Sequence, residues 1–172
     1  YEAEQELAAS EAALRASEAR LRDLNDTLEH RIADTLAERK VFADIVDSTA
    51  ATTVALSLDY DILAINQAAI AAIKRIYGKS AKVGDNLLAL LDDMPDHREQ
   101  VRQIWARAFR GDDVLVTDTF GDARLERVAY EARFSPLRDR DGRVVGAWHT
   151  AYDISDRLRA QAELEATQEQ LR

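Results

Sequence analysis

The stretch SPLRDRDGRVVGAWHTAYDISDR, residues 135–157, decides the fold. Within it, Asp139-Arg140-Asp141-Gly142 is a hairpin turn, because Asp-Gly accepts the positive φ that a tight reversal demands. The turn joins a strand over 127–137 to another over 144–152. The second of these is the most apolar strand of the chain, which predicts a central place in its sheet. Asp153-Ile154-Ser155 then ends the strand and opens a final helix that runs to Arg172.

Working outward from the hairpin, Val114 to Phe120 is a further strand closed by Gly121-Asp122. Pro95-Asp96 opens a helix to Arg110 that turns Val101, Ile104, Trp105, Ala108 and Phe109 inward, with Gly111 as its stop. Leu87, Leu88, Leu90 and Leu91 form a short buried helical turn, after a loop punctuated by Gly78 and Gly84. Asn66 caps a helix from Gln67 to Ile76 whose Ile70, Ile73 and Ile76 share a face. Two strands, Thr52 to Leu58 and Ile62 to Ile65, flank the turn Asp59-Tyr60-Asp61. Before them, Val41, Phe42, Ile45 and Val46 make a compact apolar stripe, expected to be a short helix packed on the domain. The order β-β-α-α-α-β-β-β predicts an α+β fold: a five-stranded antiparallel sheet with helices on one face.

The two ends read differently. Residues 1–38 hold neither Gly nor Pro and are rich in strong helix formers. Leu7, Leu14, Leu21 and Leu28 recur every seven residues, and Leu24 adds an intermediate position. Period seven keeps an apolar row facing a partner helix, so a parallel coiled-coil dimer is expected. The row then steps to Ile32 and Leu36, a spacing that locally unwinds a supercoil. The final helix carries a weaker heptad row, with Leu164 and Leu171 between Gln161 and Gln168. Ala12, Leu14, Ala16, Leu21 and Arg22 recur 150 residues later as Ala162, Leu164, Ala166, Leu171 and Arg172, as two copies of one linker type would, or as shared composition alone would. The expected organisation is therefore a coiled-coil helix over 1–38, a domain with its capping helix over 39–154, and a coiled-coil linker over 155–172. Both ends lie inside charged helical sequence, so the chain is expected to be a piece of a longer protein.

Composition excludes several chemistries. Of 172 residues 23 are basic and 32 acidic, a net charge of −9, which repels a phosphate backbone and argues against nucleic acid as partner. There is no cysteine, hence no disulfide, thiolate metal site or thiol nucleophile. That absence favours the cytoplasm, and no apolar run approaches the roughly 20 residues of a bilayer span, so no membrane contact is expected. No P-loop or Gly-rich nucleotide lid is present, so no enzyme activity is expected of the chain itself. Metal binding is not expected either: Asp59, Asp61, Asp92 and Asp93 read as solvated turns.

The region from Arg39 to Arg157 resembles PAS domains of bacterial sensor histidine kinases. The resemblance rests on Asp59-Tyr60-Asp61 followed by Asn66-Gln67-Ala68-Ala69, on Gly84-Asp85-Asn86-Leu87-Leu88, on Ser135-Pro136-Leu137 before Asp141-Gly142, and on Asp153-Ile154-Ser155-Asp156-Arg157. It implies a sensory module with no catalytic residues, passing a signal between coiled-coil helices to a kinase domain of the parent chain. It makes Asp153, Ile154, Ser155 and Arg157 the joint between sheet and outgoing helix, with Arg157 reaching back to Asp153. It also turns Ala147, His149 and Ala151 toward a pocket, with Tyr130, Ala132 and Phe134 beside them. Tyr130, Phe134 and His149 are then the candidate ligand contacts. A filled core with one hydrogen-bonded histidine is the other reading of the same residues.

Cofactors are not fixed by these residues. Haem needs an axial ligand, and His97 sits too early on its helix to serve, where it reads as exposed. Flavin photochemistry through a cysteine lacks its cysteine. His30, in Glu29-His30-Arg31-Ile32, lacks the context of a phosphoacceptor and reads as a surface residue. Two other functions remain open: a structural dimerisation spacer with an empty PAS core, and a PAS regulator of a cyclic-dinucleotide enzyme.

Overall fold

The computed structural model describes residues 2–170. It contains α1 (Glu2–Asp47), β1 (Thr52–Ser57), β2 (Ile62–Ile65), α2 (Gln67–Tyr77), α3 (Leu87–Leu90), α4 (Pro95–Phe109), β3 (Val114–Phe120), β4 (Val128–Arg138), β5 (Val144–Asp153) and α5 (Ser155–Gln170). The chain divides near Val46 into two compact units, the first helical and the second holding the sheet.

In the first unit α1 runs through residue 38 without a break and continues to Asp47. The change of pattern at Val41 is a change of which residues line the helix, not an interruption, because no Gly or Pro falls between residues 2 and 47. Leu7, Leu14, Leu21, Leu24, Leu28, Val41, Phe42 and Ile45 are exposed on it.

In the second unit the sheet order is β2-β1-β5-β4-β3, entirely antiparallel. The strand read as most apolar, β5, is indeed the central one. It pairs with β1 from Ala151↔Thr52 to Gly146↔Ser57, and with β4 from Asp153↔Tyr130 to Val144↔Arg138. Gly146 permits the close approach of β1: a Cβ there would lie 2.2 Å from the Leu56 carbonyl oxygen. The inner face buries Val54, Leu56, Ala132, Phe134, Ala147 and Ala151 against α2, α3 and α4, whose Ile73, Ile76, Leu87, Leu91, Val101 and Trp105 complete the core.

Asn66 ties the entry of this unit together. Its side chain is buried and uses its full hydrogen-bonding capacity. Oδ1 accepts from the Ala69 N–H at 3.0 Å, capping α2, and from the Thr53 N–H at 2.9 Å. Nδ2 donates to the carbonyls of Ala51 at 2.9 Å and Val46 at 3.1 Å. One amide thus joins the end of α1, the start of β1 and the first turn of α2. Asn66→Ala strands four backbone groups and is expected to cost about 2–4 kcal/mol. Asn86 caps α3 in the same way but is only half-buried, so Asn86→Ala should cost about 1 kcal/mol. Urea denaturation of the two variants measures the difference; equal losses would contradict the special role of Asn66.

Candidate ligand cavity and exit joint

Alternation along β5 and β4 places Ala147, His149 and Ala151, and Tyr130, Ala132 and Phe134, on the inner face. Between that face and the helices lies a cavity of about 100 Å³. Tyr130, Phe134 and His149 all line it. Apart from Thr52, whose hydroxyl lies 3.4 Å from the Ala151 carbonyl, and Tyr77, the remaining wall is apolar: Ile73 and Ile76 from α2, Leu87 and Leu91 from α3 and its C-terminal end, Val101 and Trp105 from α4. No Asp, Glu, Lys or Arg lines it.

Three rings make one wall. Trp105 meets Phe134 edge to face at 5.1 Å between centroids, and His149 lies 5.3 Å from Trp105 and 5.2 Å from Phe134. The His149 Nδ1 is buried and hydrogen-bonds to no described residue. The hydrogen-bonded histidine expected of a filled core thus finds no partner for this atom among the described residues. Burial alone pushes the imidazole down to about 4, which keeps it neutral at pH 7.

His97 differs from expectation. It is half-buried rather than exposed, because the end of α2 rises against the first turn of α4. Its Nε2 lies 2.5 Å from the Tyr77 hydroxyl and its Nδ1 3.1 Å from the Gln100 Oε1. Its ring also meets Tyr77 at a tilt and Phe120 edge to face. Burial lowers its pKa, against the opposing hydrogen bond that its Nδ1 donates to Gln100 Oε1. Both ring nitrogens are thus engaged, and Tyr77 stands between His97 and the cavity. His30 lies exposed on α1 and bonds to the Asp26 carbonyl at 2.7 Å.

The exit joint is wired differently from the expected Asp153–Arg157 contact. Asp153 Oδ1 accepts from the Ser155 N–H at 2.9 Å, satisfying a free donor at the start of α5. Its other oxygen takes Arg75 of α2 at 3.2 Å. Arg157 instead reaches Glu131 of β4 at 3.1 Å. Geometry favours this: Glu131 stands on the outer face of β4, beside the first turn of α5, while the guanidinium of Arg75 already holds Asp153. Burial acts to raise the Asp153 carboxyl, but the Ser155 bonds and Arg75 outweigh it and hold it below the ordinary value. Ile154 is buried, and its N–H bonds to the Ala129 carbonyl at 2.9 Å, so the helix leaves from a fixed point on the sheet. Leu164 is exposed, and Leu171 lies outside the described residues.

Arg75 links this joint to the cavity. Its guanidinium lies 3.4 Å from the Tyr130 hydroxyl, 3.5 Å from Glu126 and 3.2 Å from Asp153. A second cavity of about 210 Å³ shares Thr52, Ala72 and Tyr130 with the first and is bounded by Arg75 and Asp153. Nothing in the sequence reading singled out Arg75. Its only local signal is a basic residue in the last turn of a helix, which is ordinary complementarity to the helix dipole.

The PAS-fold family pattern matches residues 46–159. The chain belongs to the PAS fold family. The PAS domain of Bordetella pertussis BvgS superposes with a TM-score of 0.56 at 15% identity, covering 78% of this chain and 98% of that one. The phage VqmA–DPO complex gives 0.54 at 16% identity, over 79% of this chain and 61% of that one. An RNA-binding light-oxygen-voltage receptor gives 0.52 at 20% identity over 78% of this chain, which spans only 39% of the receptor. At these identities the likeness concerns the fold alone. No curated protein matches the chain in sequence. The PAS domain is a sensory module and not itself catalytic. No helix among the described residues is long and apolar enough to cross a membrane.

The imidazole of the PAS core, part-exposed as a residue but buried at Nδ1, has a pH signature. An unfolded histidine titrates near 6.5, so between that value and about 4 the unfolded chain binds a proton that the folded chain refuses. Stability therefore falls as pH drops through this window, by about 1.5 kcal/mol between pH 6.5 and 5. His149→Phe should remove most of that slope in urea titrations at the two pH values. An unchanged slope would place the proton elsewhere.

Proposed function

We propose that this PAS domain is the sensory relay of a dimeric signalling protein, reading the occupancy of its cavity and passing it to α5. The observation that carries the reading is the continuity from cavity to exit helix. Tyr130 lines the cavity and touches Arg75, Arg75 pairs with Asp153, and Asp153 caps the first turn of α5. Asp153, Ile154, Ser155 and Arg157 are the transmission joint, with Arg75 and Glu131 as their partners. Tyr130, Phe134 and His149 are the residues that meet what enters the cavity.

The module works as a parallel homodimer. Leu7, Leu14, Leu21, Leu24 and Leu28 supply the row on α1, and Leu164 and Leu171 the weaker row after the domain. Exposure of the α1 row in the single chain supports this, since seven-residue repeats of leucine are otherwise left in water. Its parent is a sensor histidine kinase acting in the cytoplasm, a reading supported by the exit motif, the heptad linkers and the lack of cysteine.

Two measurements test the relay. Size exclusion with light scattering should give a dimer at micromolar concentration, and Leu21→Glu with Leu28→Glu a folded monomer. A monomeric wild type would contradict the dimer. Arg75→Gln should raise hydrogen exchange at the Ser155 and Leu158 amides several-fold while moving the Tm only a few degrees. Exchange that changes no more there than across the sheet would reduce Arg75 to an ordinary surface ion pair.

A further inference from the structure

The proposed sensing role leaves the ligand open, but the walls of the cavity narrow it. Volume comes first. A cavity of 150 Å³ lined by aliphatic and aromatic side chains is enough for benzene. At about 100 Å³ this cavity takes one ring or less, and neither a haem nor a flavin fits it as it stands.

Charge comes second. The lining carries no acidic or basic group other than His149, which is held neutral. A carboxylate or an ammonium would enter without a counter-charge, at a desolvation cost that a space this small cannot offset.

Shape and polarity come third. The wall of Trp105, Phe134 and His149 offers ring faces and edges at the spacing that aromatic partners prefer. The imidazole of His149 supplies a hydrogen-bonding group left without a protein partner. Tyr130 and Tyr77, the other polar rings of the lining, already have partners for their hydroxyls in Arg75 and His97. A ligand that satisfies the site therefore brings one polar hydrogen or lone pair and directs it at His149.

From these three constraints we infer that the cavity binds a neutral single-ring aromatic or heteroaromatic molecule bearing one hydroxyl or ring N–H, which hydrogen-bonds to His149. The inference rests on the cavity being the sensing site, and it adds the chemical class.

The test uses the chain as it is, with phenol, benzene and benzoate as probes, followed by calorimetry and by the imidazole ¹⁵N resonances of its three histidines. Phenol should bind about tenfold more tightly than benzene, the ratio expected of one additional buried hydrogen bond. Benzoate should not bind. The His149 resonance should move with phenol and much less with benzene. In His149→Phe the phenol-to-benzene ratio should fall to about one, with benzene still bound, which shows that the cavity has survived the substitution. If that variant does not fold, the wild-type ratio and the His149 resonance decide alone. Equal affinities of phenol and benzene, or a ratio that His149→Phe leaves intact, would overturn the assignment of ligand class while leaving a ligand-binding cavity. Preferential binding of benzoate would overturn the class as well. Failure of phenol and benzene alike to bind would overturn the sensing cavity itself, and the class with it.

Discussion

The central position of β5 is the constraint from which the rest follows. A strand hydrogen-bonded on both sides cannot shift one residue without exchanging its faces. Here β1 holds it along one edge through Thr52 to Ser57, and β4 holds the other through Tyr130 to Arg138. Its inner residues are therefore committed to the cavity and its last residue, Asp153, to the start of α5. The same strand that presents His149 to the cavity delivers the chain into the outgoing helix six residues later. Neither end of β5 can move independently of the other without breaking pairing on one side.

Arg75 gives this strand a second route to the same end point. It comes from α2, a helix that also supplies Ile73 and Ile76 to the cavity wall, so a shift of α2 acts on Asp153 directly. The pair is about half-exposed, which makes it weak as a source of stability. Weakness suits a contact that has to be made and broken. The firm attachments lie elsewhere: Asn66 at the entry, and Ile154 at the exit, buried and bonded to Ala129. The domain is pinned at both ends by buried groups, with exchangeable ion pairs around its exit helix.

Much of this was legible in the sequence because its signals are local. Asp141-Gly142 announces the β4–β5 hairpin, alternation along 144–152 divides inner from outer residues, and Asn66 precedes an apolar helical face. The cavity-facing positions of Tyr130, Phe134 and His149 follow once the strand and its exit motif are aligned with the family. What stayed hidden is long-range. Arg75 and Asp153 are 78 positions apart, and Arg157 and Glu131 are 26 apart. Proximity in sequence made Asp153 the natural partner for Arg157, and packing chose otherwise. His97 read as exposed because it sits at the start of α4, before the inward stripe begins. The arrival of Tyr77 from α2 and Phe120 from β3 buries it. No sequence signal tells whether a buried histidine has a partner, and for His149 that is the informative fact.

The central claim is that what fills the cavity is felt at the first turn of α5. Xenon tests it most directly, because it enters small apolar cavities irrespective of any preference for a particular ligand. Backbone amide spectra under xenon should shift at the cavity lining and also at Ser155 and Leu158, with the distant turn at Asp139–Gly142 unchanged. Shifts at the lining that stop short of Ser155 and Leu158 would contradict the coupling.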